Sequence, residues 1–186
     1  MRLSQAHQYV TRSKRRQRII ESLITPLTAT QISRKTGLRA DACRHVIGEL
    51  ARHGLIECKN ECARRSRLYG LTELGLGCWR QFKHPAPATS ADVDWKLYGW
   101  VCYRHRSTIL KTMTEPMQPA TIKRRARSRD PTLRMSANNV RDVMRLFLRR
   151  GIVKQVWVRK KARPRYELTE NGKILQSLLL RAEEVA

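Results

Sequence analysis

Residues 40–75 recur without a gap as residues 137–172, 97 positions later, and this repeat constrains the fold more than any other feature of the chain. Ten of the 36 pairs are identical: Ala40/Ala137, Arg44/Arg141, Val46/Val143, Arg52/Arg149, Gly54/Gly151, Tyr69/Tyr166, Leu71/Leu168, Thr72/Thr169, Glu73/Glu170 and Gly75/Gly172. Chance would give about two. A fixed offset carried through both helix-like and strand-like segments means that one supersecondary unit has been used twice. The chain's 186 residues leave room for two small domains of roughly 85 to 100 residues each. Its 41% apolar content is enough to give each a core.

The first copy reads as a string of short elements. Ile19, Ile20, Leu23 and Ile24 have the spacing of one apolar helix face, which predicts a helix over 14–24. Thr25-Pro26-Leu27 breaks it, and Thr28 is placed to cap a short helix over 29–36 with Ile32 turned to the core. After Gly37 a third helix is expected over 39–53, because Cys43, Val46, Ile47 and Leu50 share a face and Gly54 stands where a helix stops. Residues 55–59 read as a strand, 61–67 as a basic loop and 68–71 as the returning strand. Thr72 then caps a last helix running through Trp79 and Phe82.

This order resembles a winged helix-turn-helix domain, and the wording is similar to that of winged-helix repressors of the multiple-antibiotic-resistance and arsenic-sensor types. The residues that carry the resemblance are Leu50-Ala51-Arg52-His53-Gly54-Leu55-Ile56, the strand Arg67-Leu68-Tyr69-Gly70-Leu71-Thr72 and the helix start Glu73-Leu74-Gly75. It covers most of residues 14–82. It implies a mainly α fold with small β-hairpin wings, here as two tandem winged helix-turn-helix domains, with the third helix of each entering a DNA major groove. The biological role is not implied, because such a scaffold hosts many functions.

The second copy keeps the scheme with one alteration. Residues 116–122 match residues 26–32 at an offset of 90, so seven residues are inserted between its second and third helices, within 126–134, and the turn there is expected to be a longer basic loop. Ser136 caps the third helix, whose core face is Val140, Val143, Met144 and Phe147, and Gly151 ends it. Residues 152–158 alternate as a strand, 159–165 form the wing, 166–168 return, and 170–183 make a final helix with Ile174, Leu175, Leu178 and Leu179 inward. A single long first helix is expected from Asp94 to about Met113, with Trp95, Tyr98, Cys102, His105 and Ile109 in one stripe. So broad an apolar surface implies either a contact beyond its own domain or a core helix with part-exposed aromatics. The expected organisation is a basic N-terminal arm over 1–13, a first winged helix over 14–83, a Pro/Ala/Ser linker over 84–93 and a second winged helix over 94–186.

Charge narrows the class of partner. The chain carries 39 Lys and Arg against 15 Asp and Glu, a formal charge of +24. Residues 1–85 hold 17 basic and 6 acidic groups, and residues 86–186 hold 22 and 9, so the excess is shared by both copies. A polyanion that releases counterions on binding compensates such self-repulsion. No run of apolar residues is long enough to span a membrane, no signal-peptide core follows Met1, and the five irregularly spaced cysteines do not suggest a disulfide framework. The expected place is the cytoplasm with the nucleoid, or the nucleus in a eukaryote.

Candidate binding residues follow from the outward positions of the third helices: Arg39, Asp41, Arg44 and His45 in the first copy, and Ser136, Asn138, Asn139 and Arg141 in the second. Arg can read guanine, Asn adenine, and Asp the amino group of cytosine, while the alternative assigns Asp41 and Asn138 to helix starts and both arginines to phosphates. The wings add Arg64, Arg65 and Arg67, matched by Lys160, Lys161, Arg163 and Arg165, and the insertion adds Arg127, Arg129 and Arg134. The basic run Arg12, Lys14, Arg15, Arg16 and Arg18 is either an arm along a backbone or the wet face of a helix.

Cys58 and Cys62 have permissive zinc spacing, but the second copy has Gln155 and Arg159 there, so no metal or other cofactor is assigned. Cys43 and Cys102 read as small hydrophobes, and Tyr69 and Tyr166 as packing residues on a strand face. No glycine-rich phosphate loop, paired carboxylates or Ser/His/Asp grouping points to an enzyme. The expectation is binding of double-stranded DNA by two winged helices in one chain, as a transcriptional regulator. The alternatives are an architectural nucleoid protein or an RNA-binding or protein-interaction module. Possible further partners are a second copy of the chain or a larger transcription or replication complex.

Overall fold

The computed structural model describes residues 1–82, 93–157 and 164–183. They form a mainly helical protein with small antiparallel strand groups, divided into two compact units: Met1–Trp100 with the last residues from Ala182, and Val101–Arg181.

The first unit opens with α1 (Leu3–Thr11), a helix within the segment expected to be a basic N-terminal arm. Ala6 and Val10, one helical turn apart, are fully buried, and the helix packs on α5 (Glu73–Gln81). Burial of that face overrides the polar composition of the segment. Next comes α2 (Lys14–Ser22), which buries Ile19 and Ile20 and ends two residues before the expected stop. Leu23 has left helical geometry, so Ile24 turns outward, against expectation. Of the two readings of the basic run, the wet face of a helix fits Lys14, Arg15 and Arg18, which are exposed on α2, but not Arg16. That side chain points inward: Nε donates to Glu49 at 3.2 Å, Nη1 to the Tyr9 carbonyl at 3.2 Å, and the guanidinium lies 3.9 Å from the Tyr9 ring centre. The hydrogen bond from Arg16 holds the Glu49 carboxyl below its ordinary value of 4.5. A lowered carboxyl pKa stabilises the fold above that ordinary value, and the contribution is lost as pH falls through the lowered one.

A two-residue strand, β1 (Leu27–Thr28), was not foreseen; too short to alternate, it has no sequence signature. Thr28 caps α3 (Ala29–Thr36) through a reciprocal pair with Gln31. Then α4 (Ala40–Arg52) buries Cys43, Val46, Ile47 and Leu50, as its pattern required. Burial pushes the Cys43 thiol pKa up, in keeping with a packing role. Strands β2 (Ile56–Cys58) and β3 (Leu68–Leu71) pair with Ile56 opposite Leu71, and β1 joins the other edge of β3, Leu27 opposite Tyr69. Trp79 of α5 is fully buried and donates to the Glu21 carbonyl.

The expected long helix is instead two: α6 (Trp95–Val101) and α7 (Arg104–Thr112), separated where Tyr103 adopts extended backbone. The broad apolar surface is divided between them, with Leu97, Tyr98 and Val101 buried from α6 and Ile109 and Leu110 from α7. Gly99 of α6 lies so close to the β2–β3 hairpin that a Cβ there would collide with Asn60 and the Ser66 carbonyl, whereas α7 packs on α8 (Pro119–Arg129) and α10 (Glu170–Arg181). The residues expected in one stripe therefore do not share a helix.

In the second unit α8 starts 90 positions after α3 but runs three residues past the equivalent of Thr36, so the insertion is not simply a loop. Its remainder is tied down. Arg104 donates to both carboxylate oxygens of Asp130 at 2.9 Å and to Thr132, His105 Nε2 lies 3.2 Å from the Arg134 carbonyl, and Leu133 and Met135 are buried. Ser136 caps α9 (Ala137–Arg149), which buries the four predicted residues. Strands β4 (Val153–Val156) and β5 (Arg165–Leu168) pair antiparallel, and Met117 bridges Tyr166 as Leu27 pairs with Tyr69. In α10 Leu175, Leu178 and Leu179 are buried, but Ile174 is exposed, one helical step off that face.

The repeated residues now have reasons. Gly54 and Gly151 end α4 and α9 at φ 68° and 63°, a left-handed backbone that other residues adopt at a cost. Thr72 and Thr169 each donate from Oγ1 to that glycine's carbonyl at 2.6 Å and accept from the N–H of Gly75 or Gly172 at 3.1 Å. Val46 and Val143 lie in the cores. Glu73 and Glu170 sit in the first turns of α5 and α10, where the helix dipole favours an acid.

Candidate nucleic-acid interface

Two of the repeated pairs carry charge that the scaffold does not explain, Arg44/Arg141 and Arg52/Arg149. All four side chains belong to exposed residues on the third helices, α4 and α9. The first pair was among the sequence candidates; the second was not, although exposure combined with repetition marks it equally.

Around Arg44 the expected outward residues Arg39, Asp41 and His45 are exposed on the first turns of α4. Asp41 accepts from Arg44 Nη2 at 2.6 Å, and His45 Nε2 lies 3.2 Å from Glu49. Around Arg141, residues Ser136, Asn138 and Asn139 are exposed on the start of α9. Ser136 and Asn139 are engaged with each other, the hydroxyl accepting from the Asn139 N–H at 3.0 Å and donating to its side-chain oxygen at 2.8 Å. Asn138 is placed differently: its Oδ1 accepts from Arg141 Nη1 at 3.3 Å. The shared arginine is thus held in both units by the residue three positions earlier.

Charge is distributed unequally. Helix α4 sets Asp41 and Glu49 against Arg44 and Arg52, and α3 adds Arg34 and Lys35. By contrast α9 sets Arg141, Arg145 and Arg149 against Asp142 alone, and α8 carries Lys123, Arg124, Arg125, Arg127 and Arg129 with no acidic residue. The insertion arginines fall at two places: Arg127 and Arg129 in the last turn of α8, and Arg134 exposed between buried Leu133 and Met135. Sequence reasoning missed Arg124 and Arg145, which are exposed on α8 and α9; the uninterrupted run Lys123-Arg124-Arg125 was the available signal.

The hairpin of the first unit presents Arg64, Arg65 and Arg67, all exposed. Buried Asn60 closes its loop, accepting from the Leu68 N–H at 2.8 Å and donating to the Ser66 carbonyl at 3.1 Å, while Ser66 takes φ 54°. Asn60→Ala would leave a buried N–H without that partner, and we expect it to lower stability by about 2 kcal/mol, measured by urea unfolding of the full chain. In the second unit Lys160, Lys161 and Arg163 lie outside the described residues, and Arg165 is exposed opposite Val156. The repeat offset puts Trp157, 58% exposed, at the place of Asn60, so the residue that locks the first hairpin is not repeated.

Among the described residues no group of three or more His, Cys, Asp or Glu could hold a metal ion, and no helix is long and apolar enough to cross a membrane. No family model, curated protein or solved structure matches this chain.

Proposed function

We propose that this chain binds double-stranded DNA through two winged-helix units in one polypeptide, and that it acts as a transcriptional regulator. The observation that carries the reading is the exposed arginine at one position of both third helices, Arg44 and Arg141, kept where the core gives no reason to keep it. The charge of +24 and the basic hairpin of the first unit support it, since phosphate contacts supply most of the affinity for a duplex. In this reading α4 and α9 enter major grooves, and the hairpins lie along the backbone.

The test is titration of the full chain with a duplex at several salt concentrations. We expect a plot of log affinity against log salt steeper than about −5, with each neutralised phosphate contributing about −0.9. Absence of binding at ~50 mM salt would overturn the reading. The five basic residues of α8 favour a second possibility, an architectural protein that grips backbones without reading bases. Footprinting separates the two: a discrete protected site supports the regulator, and uniform coverage the architectural protein. Competition between DNA and RNA duplexes tests the choice of nucleic acid.

A further inference from the structure

The two third helices hold their shared arginine by chemically different partners, and the ion pair of α4 adds little to the fold beyond the favourable place of Asp41 in the first helical turn. Arg44 and Asp41 are 66% and 78% exposed at the side chain, and exposed pairs of this kind contribute about 0 to 1 kcal/mol. On a surface meant only to grip phosphate, Asp41 is counterproductive, because it offsets the charge of Arg44 and repels the ligand. On a surface meant to read bases it is useful. A carboxylate that takes one guanidinium N–H fixes the side chain, leaving its other N–H groups to face a guanine edge, and can itself accept from a cytosine amino group. In α9 the partner is neutral Asn138, so Arg141 keeps its full charge; the one acid of that helix, Asp142, pairs instead with Arg145 at 3.2 Å, and Arg149 follows along the helix.

From this we infer that the two DNA-binding surfaces play different roles. Arg44 with Asp41 on α4 selects G·C pairs, whereas Arg141 with the basic residues of α8 and α9 grips phosphates with little regard to sequence. This division rests on the DNA-binding function proposed for the chain. It makes Asp41 and Asn138 the positions that decide what the shared arginine recognises.

The experiment exchanges the two partners in the full chain, Asp41→Asn and Asn138→Asp. Each variant is assayed by the salt dependence of its affinity for a mixed-sequence duplex and by selection of bound duplexes from a random pool. Asp41→Asn should bind mixed sequence about threefold to tenfold more tightly and lose enrichment for G·C pairs. Asn138→Asp should weaken binding to all sequences by a similar factor, flatten the salt slope by up to about 0.9 and leave the enriched sequences unchanged. Thermal unfolding of both variants identifies any effect that comes from the helix start alone. If Asp41→Asn changes unfolding but not the selected sequences, or if Asn138→Asp alters sequence preference, the division of roles is wrong although DNA binding stands. A wild-type chain that binds no duplex at ~50 mM salt removes both.

Discussion

Gly75→Ala and Gly172→Ala should each destabilise the protein by about 3 kcal/mol or more. A Cβ at Gly75 would come well within 3.0 Å of the Leu55 carbonyl oxygen, and one at Gly172 equally close to that of Ile152. These are backbone atoms, so no rotamer change relieves the collision. Each carbonyl also accepts the N–H of Thr72 or Thr169 at 3.1 Å, so moving it disturbs the bond that joins the end of the third helix to the start of the last one. The sign is diagnostic, because glycine to alanine within a helix ordinarily gains up to about 1 kcal/mol. Gly48 provides the contrast: it is an exposed residue of α4 with nothing within 4 Å of an added Cβ, and Gly48→Ala should stabilise by about 0.5 to 1 kcal/mol. Urea unfolding of the three variants measures all these effects. Gly75→Ala or Gly172→Ala as stable as the wild type would show that the close approach relaxes cheaply.

The largest functional effect should follow replacement of Arg124, Arg127, Arg141 and Arg145 together by glutamine. All four are exposed on α8 and α9. If each neutralises one phosphate, their loss flattens the salt slope by about 3.6 and lowers affinity at 0.15 M salt by about 10³-fold. Glutamine is nearly as good a helix former as arginine, and the bonds lost, Arg141 to Asn138 and Arg145 to Asp142, are exposed. Stability should therefore stay within about 1 kcal/mol of the wild type, so that a fall in affinity reports on binding and not on folding. Isothermal titration or fluorescence anisotropy at several salt concentrations measures the slope. Unchanged slope and affinity would remove α8 and α9 from the interface.

The candidate surface was only partly legible in advance. Periodicity exposed the outward faces of α4 and α9, and with them Arg44 and Arg141, since a helix whose core face is known has its other face known too. It did not reveal which outward side chains are already engaged. Ser136 and Asn139 are committed to each other, and His45 lies against Glu49, through local geometry that residue types alone do not specify. Arg16 shows the same limit on a larger scale. It stands in a basic run that reads as solvent-facing, yet its charge is spent on Glu49 and the Tyr9 ring. Arg124 and Arg145 joined the candidates once both were seen to be exposed, one on α8 within the run Lys123-Arg124-Arg125 and the other on α9.

By itself the sequence determined the main local elements: the third helices with their buried faces, the glycines that end them, the hairpins that follow, and the caps at Thr28, Thr72 and Ser136. These are set by backbone geometry and by hydrogen bonds of short reach, which leave a mark in residue type and spacing. Tertiary structure alone decided that the first residues are a packed helix, that β1 exists, that residues 94–113 break into two helices, and that Arg104 clamps the insertion through Asp130. Each of those outcomes depends on a surface distant in sequence, α5 for α1, β3 for β1, the first hairpin for α6 and α7 for the insertion, and long-range burial and pairing override weak local preference.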